Sequence, residues 1–243
     1  LFLGGVSGGS YVTSATANYF RARAKTESER IARAETARWG GLIAVLAISV
    51  GGGALLYHLG APLKALQFPI LFSNFGSWLV VGTWLIVVFS LLTVLDTFWM
   101  QFGRQTEIDD GPSLFPRRLI ALVKIDETPL LLHRLDDIAD LTRPPEKLTS
   151  IYRGIGFVLG AGVIVYTAML LSALWTCPLW NRTFLPPLFL MSGVSTGIAA
   201  TVAMTTISSG LSETVHRYSL ADDVLIVVEF AILGGLFLTL QNR

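Results

Sequence analysis

The sequence predicts an all-α fold, a polytopic bundle of about six helices crossing a lipid bilayer, and three observations predict it. Of 243 residues, 52% are hydrophobic and only 14% charged, and a soluble domain of that size needs more charge to cover its surface. Several apolar runs approach or exceed the ~18–20 residues that span a hydrocarbon core. Lys and Arg crowd alternate connecting segments, as membrane sidedness demands. The net charge of +1 gives no electrostatic footprint for nucleic acid. Cys177 is the sole cysteine, which excludes an internal disulfide and any iron–sulfur cluster held by cysteines of this protein alone.

Taken in order, the spans cover roughly residues 1–20, 40–62, 76–99, 154–175, 184–208 and 221–240, forming one transmembrane domain over 1–243. The opening stretch, LFLGGVSGGSYV, is apolar with no Met or basic segment ahead of it. It is expected to be the inside of a first membrane helix and not a signal peptide. Gly4/Gly8 and Gly5/Gly9 form two overlapping GxxxG pairs, and Gly51, Gly52 and Gly53 sit inside the second span. Small residues at such spacing let helices approach closely in lipid, where apolar contact alone gives no net drive to associate. The segment 21–39 carries six basic residues from Arg21 to Arg38, and 100–153 carries eight from Arg104 to Arg153. The second and fourth connections hold only Lys64 and Arg182. The positive-inside rule then puts 21–39, 100–153 and 209–220 in the cytoplasm of a multi-pass protein of the cell membrane. Within 100–153, PRRLIALVKIDETPLLLHRLDDIADL alternates apolar and charged residues at near-helical spacing, broken at Pro129. It fits one or two helices on the membrane interface, or a connector packed on the bundle. Ser219 followed by Asp222 and Asp223 has the spacing of a helix start for the last span.

Histidines are few: His58, His133 and His216, the last two outside the spans. Haem b between membrane helices takes facing His pairs, so bis-His ligation by this protein alone is not expected, and no Cys/His cluster has metal spacing. Ionisable residues within lipid are costly and point to function or to a structural partner. Glu229 falls near the middle of the last span and Asp96 near the cytoplasmic end of the third; both are proton-relay candidates. The alternative for Glu229 is a structural carboxyl bonded to a neighbouring helix, and for Asp96 a position that reaches interfacial water. Tyr166 lies inside the fourth span, where a buried phenol needs a hydrogen-bond partner, either a ligand carbonyl or another helix. His58 and Tyr57 stand at the outer end of the second span, level with Trp175, Trp180 and Asn181. Together they describe a shallow outer pocket where a quinone head can exchange protons with water.

The fourth and fifth spans carry Tyr166-Thr167-Ala168 through Ser172, then Pro178-Leu179-Trp180-Asn181, then Leu185-Pro186 through Phe189 and Ser192. These resemble the signature of the NrfD/PsrC family, the quinone-interacting membrane subunits of polysulfide reductase-type complexes. The FLGGVSGGSY stretch of the first span, which includes Tyr11, is similar to the family's Phe-Leu-Gly-Gly start, and Glu229 matches an acidic position of its sixth helix. One departure stands out: His58-Leu59-Gly60-Ala61-Pro62 replaces a motif with an acid before Leu-Gly and a base before Pro. The resemblance implies a bound quinone, menaquinone or ubiquinone, with no haem or iron–sulfur cluster held by this protein. It implies an iron–sulfur, ferredoxin-like electron-transfer subunit on the outer face, with a molybdopterin-type catalytic subunit beyond. The quinone-binding candidates are Tyr166, His58, Tyr11 and Asn181. Two other classes of function stay open on the sequence. One is a transporter or ion-translocating subunit using Asp96 and Glu229; the other is a passive anchor for a catalytic partner.

Overall fold

A computed structural model describes residues 2–58, 77–103, 128–172, 184–209 and 213–241. All regular structure among them is helical: α1 (Phe2–Arg21), α2 (Glu27–His58), α3 (Trp78–Gln101), α4 (Thr128–Thr142), α5 (Glu146–Ser172), α6 (Leu185–Ser209) and α7 (Glu213–Gln241). Four of these, α2, α3, α5 and α6, are long and apolar enough to cross a membrane. The architecture is a polytopic helical bundle.

α1 is its hub, packed against α2, α5 and α6. Its inward positions are Gly, Ser, Thr and Ala, with Gly5, Ser7, Gly8, Gly9, Ser10, Thr13 and Ser14 all buried. A helix surrounded by other helices does not face lipid, so it can give up hydropathy for small residues that admit close backbone approach. The approach is tightest where α1 meets α6: a Cβ on Gly9 would land on the Gly193 carbonyl, and one on Gly197 would land on the Gly9 backbone. On the other side, a Cβ on Gly8 would come within 2.6 Å of the Gly160 carbonyl oxygen of α5. Hydroxyls then join the helices: Ser7 donates to the Ala44 carbonyl at 2.7 Å, Ser14 to Ala37 at 2.6 Å and Ser10 to Gly197 at 3.3 Å. The apolar core beside them gathers Tyr11, Ala15, Ala44, Ile48, Phe89, Leu92 and Val163 from α1, α2, α3 and α5.

Three helices begin earlier than their apolar runs. α2 starts at Glu27, not at residue 40, because Thr26 and Glu29 cap it: the Glu29 amide donates to the Thr26 hydroxyl at 3.3 Å and the Glu29 carboxylate takes the Lys25 amide at 3.1 Å. Glu27–Arg30 and Glu29–Arg33 pairs extend the polar turn. Most of the basic segment 21–39 is therefore helix. α5 starts at Glu146 and α7 at Glu213, ahead of 154 and 221. Asp222 and Asp223 consequently lie well inside α7 and do not begin it, correcting the reading from the Ser219 spacing.

In the 100–153 stretch, α4 holds Pro129 within its first turn, where a missing amide costs nothing. Proline marks the start of this helix, not a break in it. α4 is pinned to the end of α3 by Gly103, whose amide donates to Asp136 at 2.9 Å, and by Trp99, whose indole donates to Thr142 at 3.1 Å.

Candidate functional site: two polar centres at opposite ends of one helix

The first centre lies where α1, α3 and α5 meet, towards the arginine-bearing end. Asp96 on α3 is 1% exposed and receives two donors from different helices. The Tyr11 hydroxyl of α1 donates to Oδ2 at 2.9 Å, and Arg153 Nε of α5 donates to Oδ1 at 3.0 Å. Tyr11 is wholly buried, its ring edge-on to Phe89 with centroids 5.6 Å apart. Gly156 makes room for it, since a Cβ there would come within 2.5 Å of the Tyr11 hydroxyl. Tyr152 stands beside this group and donates to the Leu92 carbonyl at 3.1 Å. A buried carboxylate is tolerable when paired and hydrogen-bonded at both oxygens, and Asp96 is. It does not reach interfacial water. Two neighbouring hydroxyls on α3, Thr93 and Thr97, are buried without a hydrogen-bond partner among the described residues.

The second centre lies near the other end of α5. Tyr166 is 9% exposed, and its ring rests on Gly82 of α3 so closely that any side chain at 82 would occupy the ring's own place. Gly82 is thus what admits the phenol between the two helices. The Tyr166 hydroxyl makes no hydrogen bond among the described residues. The adjacent Thr167 is occupied differently: its hydroxyl donates back to the Val163 and Ile164 carbonyls at 2.9 and 2.8 Å, while its methyl packs towards Gly4 of α1. Thr167 and Tyr166 thus set the end of α5 against the starts of α1 and α3.

The predicted residues divide between these centres and a third place. Tyr11 and Asp96 join each other, at the level of Gly156. Tyr166 is ten positions further along α5, about 15 Å at the helical rise, so Tyr11 and Tyr166 do not share a pocket. His58 is the exposed last residue of α2, beside Tyr57, which is also exposed. Asn181 lies outside the described residues. Glu229 belongs to the α6–α7 interface, beside Ser192, and keeps Oε1 buried without a partner among the described residues. About two turns towards the start of α7, Asp222 accepts from Ser195 at 2.6 Å. Both acids thus face α6 hydroxyls. Among the described residues no three His, Cys, Asp or Glu side chains group to hold a metal ion.

Arg153 escaped the sequence reading because the charge run placed it in a connection. The signal available was its depth: it falls seven residues into α5, close to the depth of Asp96 from the end of α3. Gly82 carried a signal too, as the one glycine of α3.

The family model described as "Polysulphide reductase, NrfD" matches residues 1–240. The C chain of polysulfide reductase from Wolinella succinogenes is 32% identical over 200 residues, which is 82% of the present sequence and 53% of that protein. A protein NrfD homolog of Haemophilus influenzae is 28% identical over 248 residues, 99% of the present sequence and 68% of its own length. Protein NrfD of Escherichia coli is 32% identical over 145 residues, covering 52% of the present sequence and 46% of that one. The protein described here spans about half the length of the Wolinella relative. No solved structure matches it.

Proposed function

The chain belongs to the NrfD (polysulphide reductase) family, and from that premise we propose that it binds a quinone or quinol in the membrane and exchanges electrons with an iron–sulfur partner subunit. The observation that carries the reading is the Tyr166 side chain, held over Gly82 with no hydrogen bond from its hydroxyl to another described residue. A phenol so placed can donate its hydroxyl to a bound acceptor, and a quinone carbonyl is such an acceptor. The quinone supplies the two-electron, two-proton redox chemistry. The protein's part is positioning and proton management.

Tyr166 holds a quinone oxygen by donation from its hydroxyl. Gly82 keeps the ring in place from below. His58 ends α2 in an exposed position, where its imidazole can trade protons with water. Asn181, of the Pro178-Leu179-Trp180-Asn181 sequence motif, is a further candidate for a polar contact. The arginine-bearing end faces the cytoplasm and the Tyr166 end faces outward, as the Lys/Arg distribution requires. The iron–sulfur subunit docks on the outward end, with a molybdopterin-type catalytic subunit beyond. The Wolinella relative is by its name one chain of polysulfide reductase, which supports assembly with partners here. Asp96 and Glu229 are the candidates for moving protons away from the outward end.

The proposal is tested by titrating a quinone analogue into the purified complex. Tyr166→Phe should weaken binding roughly 2- to 12-fold, the worth of one neutral hydrogen bond, with assembly intact. A passive anchor predicts saturable binding in neither protein.

A further inference from the structure

At the arginine-bearing end, a cavity of about 1430 Å³ opens between the end of α1, the turn after it, the end of α4 and the start of α5. Five arginines line it, Arg21, Arg23, Arg30, Arg143 and Arg153, against two acids, Asp140 and Glu146. Arg153 bonds Asp96 and Arg30 bonds Glu27, and the five lining arginines outnumber the two lining acids, so the recess is cationic. A guanidinium has five donors in a fixed fork, and one protein partner leaves others to turn towards an anionic oxygen. Arg23 is already oriented, its guanidinium carbon 4.5 Å from the centroid of the Tyr19 ring. The first turn of α5 opens here directly after Pro144-Pro145, adding the partial positive charge of a long helix's amino end.

The same cavity runs into an apolar surface. Phe157 lines it and is 41% exposed. Beside Phe157, the exposed residues Ile151, Ile155, Val158, Val165 and Met169 follow one face of α5 along its length. α5 is long and apolar enough to cross the bilayer, so this face meets acyl chains. A cationic recess at the end of a membrane helix, continuous with that helix's lipid-facing stripe, matches an amphiphile with an anionic head better than it matches a soluble anion.

We propose that this cavity binds the headgroup of an anionic phospholipid, its phosphate held by Arg23 and Arg143 and its acyl chains lying along the exposed face of α5. The site is at the opposite end of α5 from Tyr166 and stands independently of the quinone reading.

The test uses the full-length protein in its intact, detergent-purified complex, delipidated and then offered phosphatidylglycerol, phosphatidylethanolamine or inorganic phosphate, with bound species read by native mass spectrometry. Phosphatidylglycerol should be retained over phosphatidylethanolamine by roughly thirtyfold, and the Arg23→Gln/Arg143→Gln double variant should lose that preference, in line with the contribution of two cations at an anionic surface. Arg23→Lys/Arg143→Lys should keep most of it. Equal retention of the two lipids, undiminished preference in the Gln variant, or capture of inorganic phosphate as strongly as phosphatidylglycerol overturns the proposal. Should the Gln variant not assemble, the wild-type preference is measured against ionic strength. It must fall as salt rises, and a salt-independent preference also overturns the proposal.

Discussion

Replacing Asp96 with alanine strips the acceptor from two donors at once and leaves Arg153 and Tyr11 facing a hole. Breaking a buried ion pair from one side costs about 3–5 kcal/mol, so Asp96→Ala should markedly lower the midpoint of thermal unfolding in detergent. Asp96→Asn keeps an acceptor for Tyr11 but removes the charge opposite Arg153, and should fall between Ala and wild type. An unchanged midpoint for Asp96→Ala would show that the three-helix junction is not a stabilising centre. Gly82→Ala makes the complementary prediction at the Tyr166 end. Its methyl group takes the space of the Tyr166 ring, so the phenol must move, and quinone-analogue binding should drop at least as far as in Tyr166→Phe. Which side chains are costly in lipid, Asp96, Glu229 and Tyr166 among them, was legible in the sequence. Their partners were not. Tyr11 meeting Asp96 bridges 85 positions and Arg153 meeting Asp96 bridges 57, and nothing in local spacing encodes contacts of that separation.

α1 sits at the centre because its small residues let three neighbours come close. Gly9→Ala and Gly197→Ala each drive a methyl into backbone, which cannot rotate away. Overpacking of this kind costs typically about 1–3 kcal/mol, and more where the obstacle is rigid. Both variants should lose thermal stability and yield. Gly52→Ala is the control: nothing lies within 4 Å of a Cβ there, and the alanine gains helix propensity, so stability should hold or rise slightly. Equal losses for Gly52 and Gly9 would mean that close approach is not what the glycines serve. The existence and order of α2, α3, α5 and α6 were legible because each contains a long apolar run. Their starts were not. Hydropathy registers the part of a helix that meets lipid, whereas Glu27, Glu146 and Glu213 begin polar turns that project past it. The Thr26-Glu27-Ser28-Glu29 cap was readable as a start signal on its own, but the density of arginine beside it reads as a connection. The low hydropathy of α1 has the opposite origin, since it is shielded from lipid by α2, α5 and α6.

Across the whole molecule, the bundle has two chemically distinct ends joined by α3 and α5. One end collects arginines, the Asp96 junction and the basic cavity. The other holds Tyr166 over Gly82, with His58 exposed at the end of α2. The family resemblance read from the Tyr-Thr and Pro-Leu-Trp-Asn elements agrees with the match over residues 1–240, while Asn181 of that turn lies outside the described residues. The separation of the two ends, about 15 Å along α5, implies a division of labour: Tyr166 variants should affect quinol turnover and spare stability, and Asp96→Ala should affect stability first.

Quinol-driven reduction of the partner's iron–sulfur clusters in the intact complex, followed spectroscopically in wild type and in Tyr166→Phe, is the decisive experiment. Prompt reduction is expected in wild type and markedly slower reduction in the variant, with both complexes fully assembled. Identical rates in the two would contradict the assignment of Tyr166 to the quinone site, and no reduction in wild type would contradict the quinone function itself.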